Sequence, residues 1–495
     1  MSAPSATVRE TSSAEAPSGA LAVSPAEIDA SCRWPVLLLL LSATLWLLLG
    51  TFLSLISSIK LHAPGFLASS AWLTYGRIRP AGVNALLYGC ASQAGIAVLL
   101  WMFCRLGRVR LYFQVPLSVA WLFWNIGVTL GVLGILAGSS TGFEWLEMPR
   151  YASPILFAAY AVIGICALVI FHFRTERPLY VSQWFLLAAL FWFPWIYSAA
   201  NLLLVFQPVR GTLQSVINAW YVNNFLGLWL TPIALAGIYY FVPKLIERPL
   251  YSRALATLAF WTLAFATNWT GLASLVGGPV PRWMPAASMA ASMVMIVPLI
   301  ATAVNWHLTL SQNCAAVKGN IILNFIIAGA LSYLLLTLLQ ILNATPEVAA
   351  LTQFTYVRPG LHFLAFFGFI SMTLFGCGYY IVPRLAQVEW PRPNLIRVHW
   401  LLTVAGVALI VVALLVGGLF QGQKLRNPSV LPVLVTKSTA MWIALATLGI
   451  TSLLAGQIAF VVNLLALLRE FCAKQCVGVW GICCPESVDE SGRQP

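Results

Sequence analysis

Tyr239-Tyr240-Phe241-Val242-Pro243-Lys244 closes one long apolar run, and Tyr379-Tyr380-Ile381-Val382-Pro383-Arg384 closes another. The two stretches lie 140 residues apart and share Tyr-Tyr-x-Val-Pro followed by a cation. Each reads as the end of a membrane helix. Aromatic rings favour the headgroup level, proline limits the helix, and the cation meets the polar surface. The stretches end the sixth and tenth apolar runs, four helices apart, so the period predicts three four-helix units in a twelve-helix bundle. The second run ends near Cys104-Arg105, at about the same interval upstream, without the signature.

The rest of the chain agrees with a membrane class. It is 60% hydrophobic and only 8% charged, with a mean hydropathy of +0.87. A spanning helix needs about 20 apolar residues. About twelve such runs are present, near 34–58, 82–104, 111–138, 152–173, 182–206, 217–241, 254–277, 285–309, 320–342, 359–382, 398–420 and 438–468. The expected organisation is a disordered tail over 1–33, one all-α membrane domain over 34–470, and a Cys-rich tail over 471–495. The first apolar run is too long and too far into the chain for a cleavable signal.

The net charge of +13 is a topological signal and not a nucleic-acid footprint. Sorted by loop parity, about 17 basic residues fall on the side of the two tails and about 10 on the other. That bias puts both termini in the cytoplasm, in a bacterial-type inner membrane. All fourteen acidic residues fall in tails, loops or helix ends. The absence of a mid-membrane carboxylate argues against a carboxylate-based pump or a cation-coupled transporter. Cys472, Cys476, Cys483 and Cys484 form C-x3-C followed by C-C, which is not a zinc pattern. No C-x-x-C-H is present, so no covalently attached c-type heme is expected.

Local sequences resemble subunit I of the C-family, or cbb-type, cytochrome c oxidases of the heme-copper oxidase superfamily. Thr74-Tyr-Gly-Arg-Ile-Arg-Pro80 is similar to the segment leading into the family's second helix. Trp220-Tyr-Val-Asn-Asn224 with Gly227, Leu230 and Thr231 resembles helix six. Phe260-Trp261, Trp269, Gly271, Pro281 and Trp283 match helix seven and the loop after it, and Gly418-Leu-Phe-Gln-Gly422 matches a later span. The similarity covers about residues 35–470. It implies electron transfer from cytochrome c to oxygen with proton translocation, in a respiratory chain, by two b-type hemes and one copper. It also implies other respiratory subunits as partners, such as a membrane-anchored c-type cytochrome, in a lipid bilayer and without nucleic acid.

The ligand positions that the resemblance assigns are the points of departure. The low-spin heme histidine falls on Gly82. The first copper ligand of helix six falls on Asn223, the His-His pair of helix seven on Ala273-Ser274, and the cross-linked tyrosine on Thr267. A further histidine just after the pair falls on Val276. The His-x-His of helix ten falls on Leu361 and Phe363 when aligned without a gap back from Gly376. Imidazole nitrogens hold heme iron and fix the copper opposite it. Gly, Ala, Leu and Phe carry no donor, and Asn and Ser are weak, hard ligands for copper.

Only five histidines exist: His62, His172, His307, His362 and His399. His172, His307 and His399 read as interfacial side chains at helix ends, and His62 as a solvated loop residue. His362 lies between the two helix-ten positions, about 100° from either ligand direction. A one-residue shift would turn it inward, where it would hold one heme. Arg426 corresponds to a family arginine near the heme propionates.

These residues predict no bound cofactor, with catalytic and metal positions both vacant. The expected function is a non-catalytic scaffold subunit of a respiratory complex. The alternatives are a divergent terminal oxidase or nitric-oxide-reductase-like enzyme with one heme on His362, and a channel or carrier using the vacated space. In that last reading apolar side chains fill the space near helix ten, and a small polar pocket remains near helices six and seven.

Overall fold

The computed structural model describes residues 23–483, with side chains described through residue 475. It is built from helices and turns, with no strand among the described residues. Twelve long helices run in alternating directions: α1 Pro25–His62, α2 Tyr75–Gly107, α3 Gln114–Ala137, α4 Ala152–His172, α5 Val181–Phe206, α6 Leu213–Ile246, α7 Arg253–Thr270, α8 Trp283–Gly319, α9 Ile321–Asn343, α10 Val357–Ala386, α11 Pro393–Leu425 and α12 Pro432–Cys483. Eleven of them are long and apolar enough to cross a membrane by length and composition. The exception among the twelve expected spans is α7. It has 18 residues, and Arg253 at its start and Asn268 near its end lower its apolar character. It stops at Thr270, short of the expected 277, where a 3-10 turn over Gly271–Leu275 takes over.

Two other boundaries move. The first helix starts at Pro25, inside the stretch expected to be a tail to 33. Ser24 caps it by accepting from the Glu27 N–H at 3.3 Å, and proline occupies the first turn. The last helix continues to Cys483. Within the Cys-rich stretch Cys472 is exposed, the side chains of Cys476 and Cys483 lie beyond those described, and Cys484 lies outside the described residues.

The repeat read from the sequence has three copies. α2, α6 and α10 each contain one π-helical segment, over Ala85–Ala91, Phe225–Leu230 and Leu364–Ser371. Each then ends on a non-glycine residue in the left-handed conformation: Arg108 (φ 47°), Glu247 (φ 54°) and Gln387 (φ 54°). The amides of these three caps bond to the carbonyls of Cys104, Pro243 and Pro383. Leu100-Trp101-Met102-Phe103-Cys104 therefore stands where the other two copies have Tyr-Tyr-x-Val-Pro, which is why the signature missed it. These three helices form the centre of the bundle: the apolar windows of α2, α6 and α10 are 100%, 89% and 89% buried, against 28–61% in the other spans.

Candidate functional site

A cavity of about 720 Å³ opens between α6, α7, α9 and α10. It reaches the loops 138–151, 271–282 and 344–356, on the face opposite the described chain ends. Six of the residues singled out in the sequence line it: Asn223, Thr267, Ala273, Ser274, Leu361 and His362. Gly271 makes this geometry possible. A Cβ there would lie 2.5 Å from Asn223 Cβ and 2.9 Å from the Ala219 carbonyl, so only glycine lets the end of α7 approach α6 this closely. Asn223 is then held on both sides of its amide. Its Nδ2 donates to the Thr267 carbonyl at 2.7 Å, and its Oδ1 accepts from the Thr270 hydroxyl at 3.0 Å. The Thr267 hydroxyl points to Met295 Sδ at 3.8 Å.

Gly82, Phe363 and Arg426 do not line this cavity. Gly82 packs against α1, where an added Cβ would lie 3.1 Å from Leu53 Cβ and 3.2 Å from the Gly50 carbonyl. Phe363 turns into the apolar core and stacks on Phe367 at 5.8 Å. Arg426 is exposed at the end of α11 and is not part of the cavity wall. The expected infill near α10 is thus divided: Leu361 faces the cavity and Phe363 does not. The open space is also larger than a small polar pocket, because α9 contributes Tyr333, Leu336 and Thr337 to its wall.

The mouth carries charges that the sequence reading placed only in loops. Glu144 Oε2 accepts from Arg358 at 2.7 Å, and its Oε1 lies 3.9 Å from His362 Nδ1. The His362 ring lies 4.9 Å from that of Trp145. Trp145 itself is held at φ 65°, a strained conformation for a bulky residue. Glu147 accepts from Asn84 Nδ2 at 2.7 Å. Burial pushes its carboxyl up to about 7 against the lowering effect of that hydrogen bond. A Glu-x-x-Glu pair in an otherwise weakly charged loop was the available signal. Tyr333 was also missed. The residue borders the cavity, with its hydroxyl buried away from the open space.

The other four histidines are placed in three ways. His172 and His307 are exposed, as expected. His399 is fully buried, corrected from an interfacial position. Its Nδ1 pairs with the Tyr379 hydroxyl at 2.9 Å, and its ring stacks on Phe460 at 5.3 Å. His62 is the last residue of α1, not a loop residue, and its Nε2 lies 3.1 Å from Thr447 Oγ1.

The family model for cytochrome c and quinol oxidase polypeptide I matches residues 35–465. The chain belongs to this family. It is 26% identical to the Cbb3-type cytochrome c oxidase subunit CcoN1 of Stutzerimonas stutzeri, over 77% of this chain and 82% of that protein. It is 25% identical to the cytochrome c oxidase subunit 1 homolog of Azorhizobium caulinodans, over 79% of this chain and 73% of the relative. The fold is that of a heme-copper terminal oxidase dimer solved by cryo-EM, with a TM-score of 0.73, 17% identity, and coverage of 88% and 84% of the two chains. The cbb-type resemblance read from the sequence is borne out, and the protein is a multi-pass membrane member of the oxidase subunit I family.

The family implies hemes and copper, and the donor set of the cavity does not fit copper. Around it stand Asn223, Thr267, Ala273, Ser274 and one imidazole. Among the described residues no group of three or more His, Cys, Asp or Glu side chains lies close enough to hold a metal ion. Three imidazoles are the soft-to-borderline set that suits copper, and hydroxyls and amides are not.

Proposed function

We propose that this chain is a non-catalytic, oxidase subunit I-like scaffold within a respiratory membrane complex. The observation that carries the reading is the wall of the central cavity, where the amide of Asn223, the methyl of Ala273, the hydroxyl of Ser274 and the side chain of Leu361 stand at the positions the family resemblance gives to imidazoles. Without those nitrogens the chain has no means to hold a binuclear heme-copper centre or reduce oxygen there. Partners are other respiratory subunits, such as a membrane-anchored c-type cytochrome, in a bacterial inner membrane with both termini cytoplasmic. Purification of the native chain in mild detergent tests this. The expected result is co-purifying membrane subunits, with no oxygen consumption by the chain alone. A chain that comes out alone, or that turns over oxygen by itself, overturns it.

A second reading rests on His362. Its Nδ1 side faces Glu144 at 3.9 Å, and the residue lines the cavity. A carboxylate behind an imidazole is the arrangement that orients a metal-ligating histidine. This reading assigns one five-coordinate heme to His362. It predicts a Soret band that is lost in His362→Ala, and a band that survives that change removes it.

A further inference from the structure

We propose that the turn between α11 and α12 is a binding surface for anionic phospholipid, in the leaflet on the face opposite the described chain ends. The apolar runs of the two helices cover about 398–420 and 438–468, so residues 421–437 between them stand at headgroup level. This stretch is apolar and basic at once. Leu425, Leu431, Val433 and Leu434 are 50–67% exposed, although they lie beyond the hydrocarbon-spanning runs. Lys424, Arg426 and Lys437 stand beside them in the sequence. Arg426 and Lys437 are exposed, and Lys424 is partly so. No acidic residue occurs between Glu389 and Glu470. Among the described residues, no ion pair involves any of these three cations.

The turn is held in place. Gln421 Oε1 accepts from the Tyr356 N–H at 2.9 Å, and a Cβ on Gly422 would overlap the Leu351 carbonyl, so the end of α11 packs closely on the 344–356 loop. Asn427 Oδ1 accepts from the Ser429 N–H at 3.0 Å, and the Leu431 carbonyl accepts from the Leu434 N–H at 2.9 Å. The cations and the aliphatic side chains are thus displayed from one ordered turn. Their chemistry selects the occupant. Exposed aliphatic side chains take acyl-chain surface, and unpaired Lys and Arg take phosphate. A zwitterionic headgroup carries its own cation and gains less from three positive charges than an anionic one does. A free anion would leave the leucines uncovered. The inference is independent of what the central cavity holds.

The test is site-specific photo-crosslinking, with p-benzoylphenylalanine in place of Leu434 in the full chain. The chain is reconstituted in bilayers of equal parts phosphatidylglycerol and phosphatidylcholine with the same acyl chains, and mass spectrometry counts the adducts. Phosphatidylglycerol adducts are expected to exceed phosphatidylcholine adducts by about fivefold or more. The excess should fall toward the bulk ratio at high salt, and in the combined Lys424→Gln, Arg426→Gln and Lys437→Gln variant. The salt arm uses the chain with its three cations intact, so it stands even if that variant fails to fold. Adducts in the bulk ratio, or an excess that survives both high salt and the substitutions, overturn the proposal. Crosslinks to a polypeptide in native membranes, without lipid adducts, assign the surface to a protein partner and also overturn it.

Discussion

The two sides of the bundle centre have gone opposite ways. On the α1–α2 side, glycines bring helices into contact. A Cβ on Gly89 would lie 2.5 Å from Trp46, and one on Gly82 would lie 3.1 Å from Leu53. Between α1, α2, α10 and α12 a void of only about 50 Å³ is left. On the α6–α7–α9–α10 side, about 720 Å³ is open. Position by position, the first side closes with small residues and apolar partners. The second keeps its walls apart with polar residues that satisfy one another, as Asn223, Thr267 and Thr270 do. Closing that side would strip water from these groups, and an apolar filler would leave any unpaired one at a cost. One region behaves as core and the other as a site.

The strongest way to break this contrast is to add bulk on each side. Gly89→Leu should destabilise the protein by about 1–3 kcal/mol or more, because α1 must move to admit it. Ala273→Leu in the open region should change stability by less than about 0.5 kcal/mol. Thermal unfolding in detergent measures both, and equal losses would mean that the two sides are packed alike. Next in size is Asn223→Ala, which removes the bridge from α6 to α7. A loss of about 1–2 kcal/mol is expected, and a neutral result would show that those hydrogen bonds do not hold the cavity wall.

The arrangement of helices was legible because it follows from periodic chemistry. Runs of about 20 apolar residues mark spans wherever they occur, and Tyr239-Tyr240 and Tyr379-Tyr380 mark matching depths. The third copy was faint because Leu100-Trp101 and Phe103-Cys104 replace the tyrosines and the Val-Pro pair, although the backbone repeats the same left-handed cap. The site was half legible. Asn223, Thr267, Ala273 and Ser274 come from the family resemblance, and the fold brings them together, with Asn223 on α6, Thr267 on α7 and Ala273-Ser274 in the turn after it. The α10 positions depended on counting back from Gly376 through Leu364–Ser371, a π-helical stretch that an ungapped 3.6-residue count does not anticipate. Glu144 was missed for another reason. Its importance lies in its long-range pairing with Arg358, which no local pattern encodes.

A smaller effect sharpens the comparison at the cavity mouth. The Glu147 carboxyl has an ordinary value near 4.5 and is raised to about 7 in the folded chain. Between those values the folded state holds a proton that the unfolded state has released. Stability therefore falls as pH rises from about 4.5 to about 7, and is flat above. Glu147→Gln should remove that slope, as read from unfolding midpoints across this range. A slope that survives the substitution belongs to other groups. The least effect is expected from Arg358→Ala. Its partly exposed pair with Glu144 should be worth about 0.2–1 kcal/mol, and a larger loss would make the ion pair a structural lock on the mouth.

The central claim is that the open region holds neither heme iron nor copper. Reduced pyridine hemochrome spectra with metal analysis, on the chain alone and with its native partners, test it directly. The account predicts less than stoichiometric heme b and no copper in the isolated chain, with any heme signal following the partner subunits. A stoichiometric heme b, or copper, in the isolated chain would contradict it.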